Sequence, residues 1–190
     1  MDSLKRLFQE MSEKAAFVFS NRRIVPSEGS MNSRVALIGE APGGEEEKAG
    51  RPFVGKAGAN LTAFLQSAGL SRDNLYITNV VKIRPSRLSD KTGAPVNRPP
   101  NKAELSFFTP YLLKELEAVA PEYVVTLGNC ALRAVTGQPL NIGQTRGTLI
   151  SVAGRNVFPL YHPAAIIYNR ELTDVYEKDM KTLKTLLSNA

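Results

Sequence analysis

Three side chains suited to chemistry stand at or just past the ends of apolar runs: Glu40, Asn79 and His162. A side-chain amide carries one acceptor and two donors, a pattern that can read the edge of a pyrimidine ring. An imidazole can donate a hydrogen bond near neutral pH. His162 is the only histidine; it follows Val157-Phe158-Pro159-Leu160-Tyr161 and precedes Pro163, which places it at a strand end. Packing is the competing role for His162, and a turn or helix cap the competing role for Asn79. Glu40 opens a long Gly- and Pro-punctuated stretch, Gly39 to Gly55. Glycines there allow a ligand close to the backbone and prolines stiffen the path. Phe53, in the same stretch, suits either stacking on a flat base or anchoring a small apolar cluster. Glu45, Glu46 and Glu47 read as a solvated acidic face. The stretch lacks a Gly-Lys-Ser/Thr ending and its carboxylates would repel phosphate, so it is not a nucleotide-phosphate loop. Cys130, the sole cysteine, reads as a buried helical thiol without catalytic work.

The elements that must hold these residues follow from periodicity. Leu4, Leu7, Phe8, Met11, Ala15 and Val18 recur at three- and four-residue spacing, which predicts a helix from Leu4 to about Ser20 within an N-terminal segment 1–22. Strands are expected at about 34–39, 75–79 (with Val80 and Val81 as an extension) and 123–127. Residues 148–152 and 156–160 form a further pair around Ala153-Gly154-Arg155. Helices are expected at 56–68, 102–119, 128 to about 136, and 172–187. Residues 82–101 read as an irregular loop. Strands alternating with helices at this spacing predict one α/β domain over 1–190, a three-layer α/β/α arrangement with a mostly parallel central sheet. In such sheets ligands sit beyond the carboxyl ends of the strands, where Glu40, Asn79 and His162 all fall.

Composition bounds the class. The 190 residues, 43% of them hydrophobic, suffice for one sizeable core. A single cysteine excludes an internal disulfide and any cluster ligated by several cysteines of this chain. No apolar run approaches the roughly 20 residues that span a bilayer, and the first residues lack the apolar core of a signal peptide. A cytoplasmic monomer without membrane contact is expected. The net charge of +6 favours a polyanionic partner. The excess is concentrated in one segment, where Lys82, Arg84, Arg87, Lys91, Arg98 and Lys102 face one acid, Asp90.

Four ordered motifs together carry a resemblance. They are Gly39-Glu40-Ala41-Pro42-Gly43, Gly50-Arg51-Pro52-Phe53-Val54-Gly55-Lys56-Ala57-Gly58, Tyr76-Ile77-Thr78-Asn79-Val80-Val81-Lys82 and His162-Pro163-Ala164. Pro121, Leu127-Gly128 and Arg146-Gly147 support them. From about Arg23 to its end the chain resembles the uracil-DNA glycosylase superfamily, most closely its family-4 type. The resemblance implies hydrolysis of the N-glycosidic bond of uracil in DNA, met in a single strand or flipped out of a duplex. It implies that His162 donates to uracil O2, Asn79 reads N3–H and O4, and Phe53 stacks on the ring. Ala41 and Gly43 would border the pocket, Glu46 would stand near C5 against a thymine methyl, and Glu40 would handle water. Family-1 relatives carry an aspartate where this chain has Ala41. Arg84, Arg98 and Lys102 become candidates for phosphate contact, and Lys82 for DNA contact nearer the pocket. Ile166, Ile167 and Tyr168 resemble the family's wedge loop, with the first turn of an inward-packed helix as their other reading.

The departure lies in the iron–sulfur cluster of family-4 enzymes, held by four cysteines. Ile83 and Phe108 stand where two of them are expected, and the N-terminal pair has no counterpart. No cofactor or metal is therefore expected. The resemblance leaves two other functions open: a catalytically silent glycosylase relative that senses damaged DNA, and a glycosylase for hypoxanthine, xanthine or another deaminated base. A helper protein of a phage or mobile element is a third.

Overall fold

The computed structural model describes residues 2–20 and 22–188. Met1, Asn21, Asn189 and Ala190, which the expected segments 1–22 and 1–190 include, lie outside the described residues. The chain begins with α1 (Asp2–Val18) and a two-residue strand, β1 (Glu28–Gly29). Next come β2 (Val35–Gly39), α2 (Gly44–Ala49), α3 (Lys56–Ser67) and β3 (Tyr76–Asn79). A hairpin of β4 (Ser86–Leu88) and β5 (Pro95–Asn97) leads to α4 (Lys102–Val119), β6 (Tyr123–Leu127), α5 (Gly128–Thr136) and α6 (Ile142–Thr145). The chain closes with β7 (Ile150–Val152), β8 (Arg155–Leu160), α7 (Ala165–Tyr168) and α8 (Leu172–Ser188).

Among the described residues six strands form one sheet in the order β1-β3-β2-β6-β8-β7. The inner strands β3, β2, β6 and β8 run parallel, and only the edge strands β1 and β7 are antiparallel. Buried on both faces, inner parallel strands need apolar side chains at successive positions, which is why β2 reads as an apolar run and β6 as one interrupted only by the buried Thr126. The two faces part by alternation. Ala36, Ile38, Val124 and Val157 join α1, α4 and α5 in one core, while Val35, Leu37, Val125 and Phe158 join α3 and α8 in the other. This is the expected three-layer α/β/α arrangement. The chain leaves β2 toward β3 on one side and later adds β6 on the other, so the direction of winding reverses at β2. Beyond the carboxyl end of such a strand the flanking loops diverge and a crevice opens.

The segment 82–101 differs from the expected irregular loop. It holds the β4–β5 hairpin, closed by Gly93 N–H to Ser89 O at 2.8 Å and by Ser89 N–H to Ala94 O at 2.9 Å, with Gly93 at φ +65°. The short helix α2 also lay hidden in the acidic stretch. It ends on Gly50 in the left-handed conformation that glycine accepts without cost.

Candidate active site

The register of the sheet delivers the site residues to one edge. Gly39 of β2 pairs with Asn79 of β3, and Leu127 of β6 with Leu160 of β8. Glu40 and His162 follow within two residues of these strand ends. Asn79 is 4% exposed, and among the described residues its side-chain amide has no hydrogen-bonded protein partner. Its acceptor and donors are thus free for a ligand. Gly39 is required by this arrangement: a Cβ there would overlap both the Asn79 amide oxygen and the tip of the Phe53 ring.

Phe53 is buried at 6% exposure and sits at φ +54°, a left-handed conformation costly for an aromatic residue. Its surroundings hold it there. Arg72 donates to the carbonyls of Phe53 at 3.0 Å and Pro52 at 2.8 Å. Gly58 of α3 brings no side chain against the Phe53 backbone, where a Cβ would overlap the Phe53 carbonyl. The ring centroid then lies 6.2 Å from that of His162 at an interplanar angle of 34°. In the sequence Gly58 stands within a motif but without a visible task, and nothing there singles out Arg72.

His162 is oriented by its own turn. Its Nδ1 accepts the N–H of Ala164 at 3.2 Å, which assigns the ring proton to Nε2. Burial pushes the imidazole below its ordinary range, and the Glu46 carboxylate only partly opposes this. The ring is therefore a neutral donor. Burial alone pushes Glu40 above the usual carboxylate range. A cleft of about 590 Å³ is lined by Glu40, Ala41, Gly43, Glu46, Phe53, Asn79 and His162, together with Lys56, Asn97, Arg98 and Tyr168. A planar ring slid into it would meet an aromatic wall, an amide edge, an imidazole donor and a carboxylate.

Glu46 has a second occupation that the sequence did not announce. Its Oε2 accepts the N–H of Gly43 at 3.1 Å, and its Oε1 accepts those of Val54 at 3.1 Å and Gly55 at 2.8 Å. Both oxygens thus clamp the two ends of the acidic stretch. Glu45, paired with Lys48 at 3.2 Å, belongs to the solvated face.

The basic segment is sorted differently from expectation. Lys82 is fully buried, its Nζ 2.9 Å from Glu115 Oε2, and cannot reach a phosphate, which corrects its assignment to DNA contact. Arg84 is largely spent inside the protein. It donates to Asn97 Oδ1 at 2.7 Å, Glu47 Oε2 at 3.2 Å and Pro95 O at 3.1 Å, and its own carbonyl accepts from Arg22 at 3.1 Å. Arg98 stands at the cleft, but its fork grips Glu104 with two bonds of 2.7 Å. Lys102 is exposed, as are Arg87 and Lys91 of the hairpin. The wedge expectation splits in the same way. Ile166, at 9% exposure, packs into the core beneath α8 and is withdrawn from that role by its burial, whereas Ile167 and Tyr168 are 44% and 89% exposed.

An iron–sulfur cluster does not fit the donor set. Ile83 and Phe108 are fully buried apolar residues of the core around α1 and α4, and the one thiol, Cys130, is elsewhere. Phe19 stacks on Phe108 at 5.5 Å and meets Phe107 edge-on at 5.1 Å. Burial, with the Glu40 carboxylate adding to it, pushes the Cys130 thiol up to about 12, so it stays protonated and unreactive. No helix among the described residues is long and apolar enough to cross a membrane.

Comparison with known proteins places relatives beside this chain. The family profile of the uracil DNA glycosylase superfamily matches residues 26–185. A type-4 uracil-DNA glycosylase of Thermotoga maritima is 38% identical over 168 residues, covering 86% of this chain and 83% of the relative. Type-4 uracil-DNA glycosylases of Sulfurisphaera tokodaii and Saccharolobus solfataricus are each 35% identical over 200 residues. They cover 98% and 100% of this chain, and 86% and 88% of their own lengths.

Proposed function

The chain belongs to the uracil-DNA glycosylase superfamily, and on that footing we propose that it excises uracil from DNA by hydrolysing the bond between C1′ of deoxyribose and N1 of the base. Water adds to C1′, uracil leaves with the bonding electron pair, and an abasic site remains. The observation that carries the reading is the convergence of His162, Asn79 and Phe53 on one cleft beyond the strand ends. His162 Nε2–H points the donor at O2, where negative charge grows as the bond breaks. Asn79 accepts from N3–H and donates to O4, and its amide mismatches the edge of cytosine. Phe53 supports the ring, and Ala41 and Gly43 border it. The clamped Glu46 shapes the wall near C5. Glu40 orients the water and faces the cationic sugar. The base reaches this depth out of a single strand or flipped from a duplex. On this reading the glycosylase-like domain spanning residues 1–190 acts as a monomer, in the cytoplasm.

Release of free uracil from a single-stranded uracil-containing oligonucleotide tests the activity, with hypoxanthine- and xanthine-containing strands alongside. No base release from the uracil strand would overturn it. The pH profile adds a sharper expectation. Glu40 must be ionised, and burial has raised its pKa. Activity is therefore lost as pH falls through a limb lying above the ordinary carboxylate value of 4.5. The Glu40→Gln variant should lose that limb together with most of its rate. A limb that persists unchanged in Glu40→Gln assigns it to another group.

Phosphate contact falls to the exposed cations Arg87, Lys91 and Lys102, with Tyr168 at the cleft and the exposed Ile167 beside it in sequence meeting the neighbouring bases. Binding of a single strand should weaken as salt rises. Replacing the three cations with alanine should flatten the log–log slope by about 0.7 for each phosphate no longer neutralised. Titration by fluorescence anisotropy at several salt concentrations reads this directly, and an unaltered slope places the phosphates elsewhere.

A further inference from the structure

Behind Asn79 lies a buried charge that the chemistry above does not use. Lysine is almost never fully buried unless it is paired, yet Lys82 is 0% exposed. Its Nζ has three donors and three close acceptors: the main-chain oxygen of Asn79 at 2.6 Å, Thr78 Oγ1 at 2.5 Å and Glu115 Oε2 at 2.9 Å. Glu115 comes from α4, and its Oε2 also accepts from Tyr76 and Thr78, each at 3.4 Å. Stability alone does not account for such a pair, because a buried ion pair is often no better than well-packed apolar residues of like volume.

The partners say what the pair achieves. The peptide joining Asn79 to Val80 is gripped at both ends: its N–H, on Val80, donates to Gly39 O at 2.9 Å, and its carbonyl, on Asn79, accepts from Lys82. The first bond ties the peptide to β2 and the acidic stretch, and the second ties it to α4. With that plane fixed, and the preceding one held by the pairing of β3 with β2, the Cα–Cβ direction of Asn79 is set. Resting on the reading of Asn79 as the residue that recognises the base edge, we propose that Lys82 and Glu115 are positioning residues, which hold the Asn79 amide in the orientation that meets uracil. Neither touches the base, and both act through the Asn79 carbonyl.

The test is a cycle of variants in single-turnover uracil release, with wild-type release measured first, since its absence would strike the activity itself and not this inference. Lys82→Met alone strands a buried carboxylate, so the pair is removed together as Lys82→Met/Glu115→Leu. The folded double variant should release uracil about 10–100-fold more slowly, the scale set by misplacing a reacting group by about 1 Å. In an Asn79→Ala background the same two changes should cost less than about 2-fold, because acting through one group makes the losses non-additive. Thr78→Val, which removes one acceptor and leaves the ion pair, gives a second reading if the double variant does not fold. It should slow release by roughly 3–10-fold, again only when Asn79 is present. Wild-type rates in the folded variants, or equal losses with and without Asn79, would overturn the proposal.

Discussion

Uracil release by the His162→Ala variant is expected to fall about 10²–10³-fold in single-turnover kinetics, the range found when one preorganised donor is removed from a growing negative charge. That corresponds to about 3–4 kcal/mol of lost transition-state stabilisation. The donor is strong here because it is buried and already aimed. The Ala164 N–H occupies Nδ1 at 3.2 Å, so the ring spends nothing on choosing a tautomer when the substrate arrives. Binding of the uracil-containing strand should change far less, since the charge the donor meets exists only as the bond breaks. His162→Gln, which keeps an N–H donor in the cleft, should recover part of the loss. Protonation is disfavoured twice over: burial lowers the imidazole pKa, and an imidazolium would set a donor against the Ala164 N–H. A full rate in His162→Ala would move the developing charge to another part of the molecule.

Gly58→Ala carries the second large expectation, and it acts on the fold and the chemistry together. A methyl at residue 58 runs into the carbonyl of Phe53, and backbone yields less readily than a flexible side chain. The Phe53 segment cannot retreat easily either, because its carbonyl and that of Pro52 are held by Arg72. Overpacking of this kind costs about 2–3 kcal/mol. For a chain of this size that lowers the melting temperature by roughly 4–12 °C. Any shift that relieves the clash displaces the Phe53 ring from beside His162 and from against Gly39. Uracil release should therefore fall by roughly 10-fold or more even well below the melting temperature, as misplacement by a fraction of an ångström does. Thermal melts and release assays at about 25 °C separate the two effects. A variant with an unchanged melting temperature and rate would show that the wall is softer than its packing indicates.

Much of the architecture was legible in the residues, for a physical reason. Inner parallel strands are apolar on both faces, so β2 and β6 announce themselves as runs, and the apolar stripes of α3, α4 and α8 recur at helical spacing. Periodicity is silent where an element is too short to repeat. The two-residue β1, the six-residue α2 and the three-residue strands of the β4–β5 hairpin therefore went unread. The cleft residues were found because strand ends and ordered motifs point to them. What stayed hidden was where side chains turn. Lys82 and Lys102 bracket the same basic segment, yet one curls back beneath β3 to Glu115 and the other faces solvent. A charge count cannot tell them apart. A clue existed in α4, where Glu115 falls among the buried positions Phe108, Leu112, Leu116 and Val119. A carboxylate on an apolar stripe asks for a buried cation, and Lys82 answers it. By residue type Glu46 likewise looks like its solvated neighbour Glu45, and its three backbone donors are legible only in the structure.

The three-way grip of Arg84 has a consequence for how DNA is met. By joining Glu47 of α2 to Asn97 and Pro95 of the hairpin, it ties the acidic wall of the cleft and the basic arm into one rim. A flexible loop would have to be ordered at each encounter, and that ordering would be subtracted from affinity every time. Here the rim surrenders its conformational freedom once, during folding, and a passing strand meets a surface that need not be assembled around it.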